Sequence, residues 1–369
     1  MTSPDAPENP YLLLTPGPLS SSSTVKAAML QDWCTWDKDY NSIVQEIRAE
    51  LLSLATSNLD YTVVLMQGSG TFCLESVIGT GLGNDDKLLV LANGTYGSRM
   101  AEIACYLGIA LAVIDFGETG AVDLKQIEVQ LQTDPAITHV AVVHCETTTG
   151  RLNDIVAIGR LAKSFGKTYI VDAMSSFGGM AMSMEGMQAD YLVSSANKCI
   201  QGVPGFGFII ARREVLASTA GQARSLSLNM YEQWRTMERG EGKWRFTSPT
   251  HVVHAFYQAL RELREEGGIA ARAARYLENQ RLLVDGMHHL GFECLLADEC
   301  QSPIITAFIS PQQPGYHFEE FYLALKAKGF VIYPGSVTEV ETFRIGNIGE
   351  VYPDDIRRLL KAIAESINW

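Results

Sequence analysis

Between residues 60 and 210 the chain repeats one pattern: a short apolar run, a small or polar break, then a helical stretch. The apolar runs fall at 61–66, 87–92, 111–115, 139–144, 168–171 and 191–193. Runs without polar alternation belong to strands covered on both faces, and the intervals leave room for crossover helices. This restricts the fold to α/β with a mostly parallel sheet. A seventh run at 206–211 follows too closely for a crossover helix, so it pairs antiparallel. The helix after Asn153 and Asp154 shows the covering logic. Ile155, Ile158, Leu161, Ala162 and Phe165 share one face, with Asn153 or Asp154 as the cap and Gly166 as the stop.

Past residue 250 the pattern changes. A helical region runs from 251 to 290, broken at Gly267 and Gly268. Strand-like runs at 292–295, 304–309 and 330–333 then alternate with helical ones at 318–328 and 354–367. A chain of 369 residues exceeds one ordinary core. The division that follows is an amino-terminal arm over 1–19, a large α/β domain over 20–267 and a smaller α+β domain over 268–369. The first ten residues read as a frayed tail without the marks of a secretory signal, and Ser20 to Ser23 as a helix start.

Composition narrows the function. A net charge of −13 argues against a nucleic-acid partner, and no apolar stretch is long enough to span a membrane. Seven cysteines, at 34, 73, 105, 145, 199, 294 and 300, are scattered with no CxxC spacing. Neither a metal site nor a disulfide framework is indicated, and a cytoplasmic location fits.

Chemistry concentrates where apolar runs end. The run at 168–171 stops in Asp172, and the one at 191–193 breaks into Ser194-Ser195-Ala196-Asn197-Lys198 before a glycine-rich loop. A strand-end carboxylate and a loop-borne lysine are the pair that holds pyridoxal phosphate. The lysine forms a Schiff base, and the carboxylate keeps the pyridine nitrogen protonated. Gln67-Gly68-Ser69-Gly70-Thr71 opens a helix predicted over 72–80. It is either a phosphate cradle or an ordinary strand-to-helix turn. Tyr96, flanked by Gly94 and Gly97, either lies flat on a planar cofactor or simply packs. His144-Cys145-Glu146-Thr147-Thr148-Thr149-Gly150 is a further polar row at a strand end. Buried strands present ligand contacts at their carboxyl ends, so these segments are expected to converge on one crevice. Arg344, on an apolar strand, needs either a structural carboxylate or an anionic substrate. The cluster from Trp244 to Thr250 serves a phosphate or an interface. The glycines at 79, 81 and 83 end a helix rather than open one, which removes a dinucleotide reading.

Several of these strings occur together in a known family. Thr15-Pro16-Gly17-Pro18, Gly68-Ser69-Gly70-Thr71, His144-Cys145-Glu146-Thr147, Val171-Asp172-Ala173-Met174-Ser175, Ser195-Ala196-Asn197-Lys198 and Phe343-Arg344-Ile345-Gly346 resemble the class V, fold-type I aminotransferases over nearly the whole chain. Cys34-Thr35-Trp36-Asp37, the stretch 194–205, the stretch 243–250 and the stretch 343–350 narrow the resemblance further. They are similar to members that move the amino group of 2-aminoethylphosphonate to pyruvate, giving phosphonoacetaldehyde and L-alanine through pyridoxamine phosphate.

The resemblance implies a homodimer with the site at the subunit boundary and pyridoxal 5′-phosphate as cofactor. By it Lys198 is the Schiff-base lysine and Asp172 the partner of the pyridine nitrogen. Tyr96 stacks on the ring, and Ser69, Gly70 and Thr71 hold the phosphate, with Asn197 in support and Thr247 reaching in from the other subunit. Thr147 bonds near the ring hydroxyl, with Thr148 and Thr149 as alternatives. Arg344 clamps the substrate anion, and Arg245 or Lys243 adds charge for a phosphonate. The rival within the class is a serine– or alanine–glyoxylate aminotransferase. A cysteine desulfurase would need a reactive thiol, and Cys300 is read as incidental.

Overall fold

A computed structural model describes residues 9–335, 337 and 339–369. Residues 1–8 of the expected tail lie outside the described ones. The large sheet has seven strands: β1 (Tyr61–Gly68), β2 (Lys87–Ala92), β3 (Ala110–Asp115), β4 (His139–Val143), β5 (Thr168–Asp172), β6 (Tyr191–Ser195) and β7 (Gly205–Arg212). Their spatial order is β1-β7-β6-β5-β4-β2-β3. Only β7 runs antiparallel, to both of its neighbours. The expected α/β class and the reversed seventh strand are therefore both present.

Side chains along each strand alternate between two cores. Val63, Leu65, Leu89, Leu91, Val140 and Val142 join one cluster with α1 (Lys38–Ala55), α4 (Ile155–Ser164) and α5 (Thr250–Glu266). Val64, Met66, Leu88, Val90, Ala141 and Val143 enter the other with α2 (Gly70–Gly81) and α3 (Thr95–Tyr106). This period of two, apolar on both sides, is why the strands read as continuous apolar runs. Asp154 caps α4 by accepting from the Val156 and Ala157 N–H groups, which settles the choice left open between it and Asn153.

The helical region expected over 251–290, broken at Gly267 and Gly268, is two helices, α5 and α6 (Gly268–His289). Gly267 between them sits at φ +110°, a left-handed conformation that suits glycine, and its N–H closes α5 onto the Leu263 and Arg264 carbonyls. Beyond α6 a three-stranded sheet orders β8 (Ile305–Ile309), β10 (Thr342–Gly346) and β9 (Tyr333–Pro334), packed by α7 (Phe318–Ala327) and α8 (Pro353–Ala364). The run at 292–295 does not form a named strand; Cys294 makes a single bridge to Phe308. The run at 330–333 splits, Phe330–Val331 pairing parallel with Leu12–Leu13 of the arm while Tyr333 turns to β10. That pairing fastens the arm to the carboxyl-terminal sheet. Among the described residues no helix is long and apolar enough to cross a membrane.

Candidate active site

Five of the strand ends named from the sequence open onto one cavity of about 200 Å³. Ser69, Gly70, Thr71, Tyr96, Thr147, Asp172, Asn197 and Lys198 all line it, and so do Arg99, Cys145, Met174, Ser175 and Ser195. The topology explains the convergence. β1, β2, β4, β5 and β6 point the same way, so the residues following each strand gather at one edge of the sheet.

Asp172 is 3% exposed at the end of β5. The Met174 N–H donates to its Oδ1 at 2.9 Å, and among the described residues its other oxygen has no donor. Burial pushes its pKa up to about 6, partly offset by that N–H and by the charges of Lys198 and Arg99. A carboxyl in this state is short of an opposite charge. Lys198 donates from Nζ to the Pro16 carbonyl at 2.7 Å. Burial pulls its pKa below the usual lysine range, against the upward pull of Cys199, Asp172 and Cys145. A lysine held this way loses its proton more readily than a solvated one.

The loop after Lys198 is gripped from the carboxyl-terminal side. Arg272, 2% exposed on α6, donates to the Cys199 carbonyl at 2.6 Å and to Glu266 at 2.6 Å. Gln201 bridges the Tyr276 hydroxyl and the Gly349 carbonyl, each at 2.8 Å. The lysine is thus fixed by groups more than 70 residues away in sequence.

Helix α2 begins at Gly70, two residues earlier than predicted, so its first N–H groups face the cavity. Ser69, at the cap position, makes no side-chain bond to its own helix. Among the described residues the Ser69, Thr71 and Asn197 side chains have no hydrogen-bond partner in the protein. Unspent hydroxyls, an amide and open N–H groups at a helix start make a donor set for a phosphate. With a proton-hungry buried carboxylate and an activated lysine on the same cavity, the residues present fit pyridoxal phosphate.

Arg344 on β10 is 5% exposed. Its Nε donates to the Pro334 carbonyl at 2.9 Å and its Nη1 to the Thr147 carbonyl at 2.8 Å, which orients the guanidinium beside the cavity. Among the described residues no carboxylate pairs with it, and Nη2 is unspent. Burial lowers its pKa below the usual arginine range, so the charge stands without the anion that normally compensates it. Of the two readings left open by the sequence, an anionic ligand therefore has the better support.

Thr247 and Arg245 do not reach this cavity within one chain. Thr247 lies in a separate cleft of about 350 Å³ with Thr35, Tyr40, Lys243, Trp244, Arg245, Phe246 and Ser248. Arg245 donates to the Leu226 carbonyl at 2.8 Å and rides 4.9 Å above the Phe246 ring, while Lys243 sits 4.5 Å above Trp36. Of the three neighbouring threonines, Thr147 lines the cavity, Thr148 Oγ1 is buried without a partner, and Thr149 Oγ1 accepts from the Arg151 N–H.

Sequence reasoning passed over Arg99. Its guanidinium lies 5.0 Å from the Tyr96 ring centroid and lines the cavity. The signal was there: an arginine three residues after Tyr96 shares its helix face. Pro16 as the lysine's acceptor carried no such signal, because a backbone carbonyl has no sequence signature.

Comparison with known proteins agrees with this geometry. The family model described as aminotransferase class-V matches residues 22–345. The chain is 62% identical over 362 residues to a 2-aminoethylphosphonate–pyruvate transaminase of Syntrophobacter fumaroxidans, covering 98% of both. It is 59% identical over 363 residues to one of Vibrio vulnificus, covering 98% of this chain and 99% of that one. Among solved structures, pyridoxamine–pyruvate aminotransferase from Mesorhizobium loti superposes with a TM-score of 0.88 at 26% identity, over 99% of this chain and 94% of that one. The chain therefore belongs to the class-V aminotransferases, a family whose cofactor is pyridoxal phosphate.

Proposed function

We propose that this protein moves the amino group of 2-aminoethylphosphonate to pyruvate, giving phosphonoacetaldehyde and L-alanine. The observation that carries the reading is Arg344: a buried guanidinium without a carboxylate partner among the described residues, beside the Lys198 cavity. The relatives at 59–62% identity are named for a phosphonate-bearing amine and a keto acid, both anionic.

When bound, pyridoxal phosphate carries the amino group between the two substrates and its ring accepts the electron pair left by the departing proton. The protein's residues supply the rest. Lys198 anchors the cofactor, then takes a proton from the substrate carbon that bears nitrogen. Its depressed pKa leaves the amine free to do so. Asp172 holds the pyridine nitrogen protonated through its opposite charge. Ser69, Gly70, Thr71 and Asn197 would take the phosphate, and Tyr96 and Thr147 would contact the ring. Arg344 offers its unspent edge to the phosphonate and to the pyruvate carboxylate in turn, both of which accept paired N–H donors.

We further propose a cytoplasmic homodimer in which Thr247 and Arg245 complete the other subunit's cavity. Exposed Phe72 and Phe246, next to the cradle at 69–71 and to Thr247 and lining one cleft together, support this, since large apolar side chains rarely stand open together without a partner. Residues 20–267 then hold the cofactor and 268–369 bring Arg344 to it, with Pro16 of the amino-terminal arm at Lys198. The test is alanine formation by the cofactor-loaded enzyme from 2-aminoethylphosphonate plus pyruvate, with glyoxylate as competing acceptor. Alanine as donor with glyoxylate preferred would instead point to the rival reaction.

A further inference from the structure

Glu146 has no part in the chemistry above, yet it is fully buried beside the cavity. Its Oε1 accepts from the Gly97 N–H at 2.7 Å and its Oε2 from the Tyr96 N–H at 3.3 Å. These are two of the open N–H groups of α3, the helix that carries Tyr96 and Arg99. Gly94, the cap residue of α3, has no side chain to satisfy them. A Cβ at 94 would stand 2.7 Å from Glu146 Oε2 and 2.9 Å from Thr148 Oγ1, so glycine there lets the carboxylate reach in. The cap of α3 is therefore supplied from the β4 strand end, about 50 residues away in sequence.

We propose that Glu146 is a positioning residue: by gripping the N–H groups of Tyr96 and Gly97 it fixes the plane that the Tyr96 ring offers to the cofactor. The part concerning the ring rests on the pyridoxal phosphate reading, whereas the grip itself does not. A carboxylate grips N–H donors more strongly than its protonated form. Burial raises the Glu146 pKa to about 7, against the pull of the Gly97 and Tyr96 N–H groups; Asp172 raises it further and Arg99 lowers it. Asp172 comes from β5 and Arg99 from α3, while Arg344 reaches only the next carbonyl along, that of Thr147. The grip thus weakens as acid is added through neutrality.

Hydrogen exchange on the cofactor-free full chain tests this. Protection of the Tyr96 and Gly97 amides, corrected for intrinsic rate, should fall roughly five- to tenfold from about pH 8 to about pH 6. Glu146→Gln should hold these amides at a low, pH-independent level, and the loaded variant should release cofactor about tenfold faster. The Asp172 titration survives in that variant, so a flat profile there separates the Glu146 grip from Asp172. Native-like protection in Glu146→Gln, with the same pH profile, would overturn the proposal. Should the variant fail to fold, flat protection in the native chain across that range overturns it equally. Neither result depends on whether the enzyme makes alanine, so failure of the substrate reading stays separate.

Discussion

Around Phe321 the rings of Phe292, Tyr316, Phe343 and Trp369 meet at centroid distances of 5.4–6.2 Å, all within one apolar core of the carboxyl-terminal sheet. Around the cavity stand two buried carboxyls, Lys198 with its pKa pulled down by burial, and hydroxyls without partners among the described residues. The first region places its apolar rings where their transfer free energy favours them. The second holds groups against their solvation preference, so that a ligand completes what the protein leaves undone. Stability and function should therefore respond oppositely to change in the two places.

The sharpest break is Lys198→Ala. Turnover should fall by about four orders of magnitude or more, with loss of the visible absorbance of lysine-bound cofactor, while the cofactor-free protein unfolds at an unchanged or higher temperature. Retained steady-state turnover would remove the lysine from its role. Asp172→Asn should lower the rate by roughly two to four orders of magnitude, since a neutral pyridine accepts electrons poorly, and it should raise apoprotein stability. Equal loss of both rate and stability would show that Asp172 is structural.

Phe321→Ala probes the other side. Removing a side chain only 2% exposed should cost about 3–5 kcal/mol in denaturant unfolding. Turnover per folded molecule should stay within about twofold of native. A rate collapse at native stability would erase the contrast between the two regions.

The smallest expected effect, taken group by group, is the apoprotein's response to pH. Asp172 rises from 3.8 to about 6 and Glu146 from 4.5 to about 7, both chiefly through burial. Raised folded-state values mean that the fold binds these protons more tightly than the unfolded chain does. Their stabilising contribution is complete below about pH 4 and is lost as the pH climbs through 6 and 7. Each carboxyl accounts for on the order of 3 kcal/mol across that window. Denaturant midpoints against pH should show the decline, and Asp172→Asn should flatten the part below about pH 6. A midpoint rising over that interval would contradict the burial argument.

Legibility in the sequence followed the range of the interactions. The strands were readable because their central residues are apolar without alternation and polar residues gather at their ends. The run at 292–295 forms a single antiparallel bridge rather than a named strand: Cys294 sits opposite Phe308, with backbone bonds from the Leu295 N–H to Ala307 and from the Ile309 N–H to Glu293, while Phe292 turns into the ring cluster. In the site, Lys198, Asp172 and the 69–71 turn announced themselves by side-chain type at strand ends. Arg99 was overlooked because its role depends on which face of α3 meets the cavity. The contact of Pro16 with Lys198 spans 182 residues and uses a carbonyl, which any residue would supply.

The order of apolar and polar residues alone determined that this chain forms a doubly covered parallel sheet whose strand ends carry a lysine, a carboxylate and a glycine-rich helix start. Periodicity and residue type act over a few neighbours, and a linear string records them fully. Only the tertiary structure decided that burial raises the Asp172 and Glu146 pKa values, that Arg344 stands without a carboxylate partner among the described residues, and that Thr247 and Arg245 lie outside their own chain's cavity. Those outcomes depend on burial and on through-space charge, which arise from how distant segments pack.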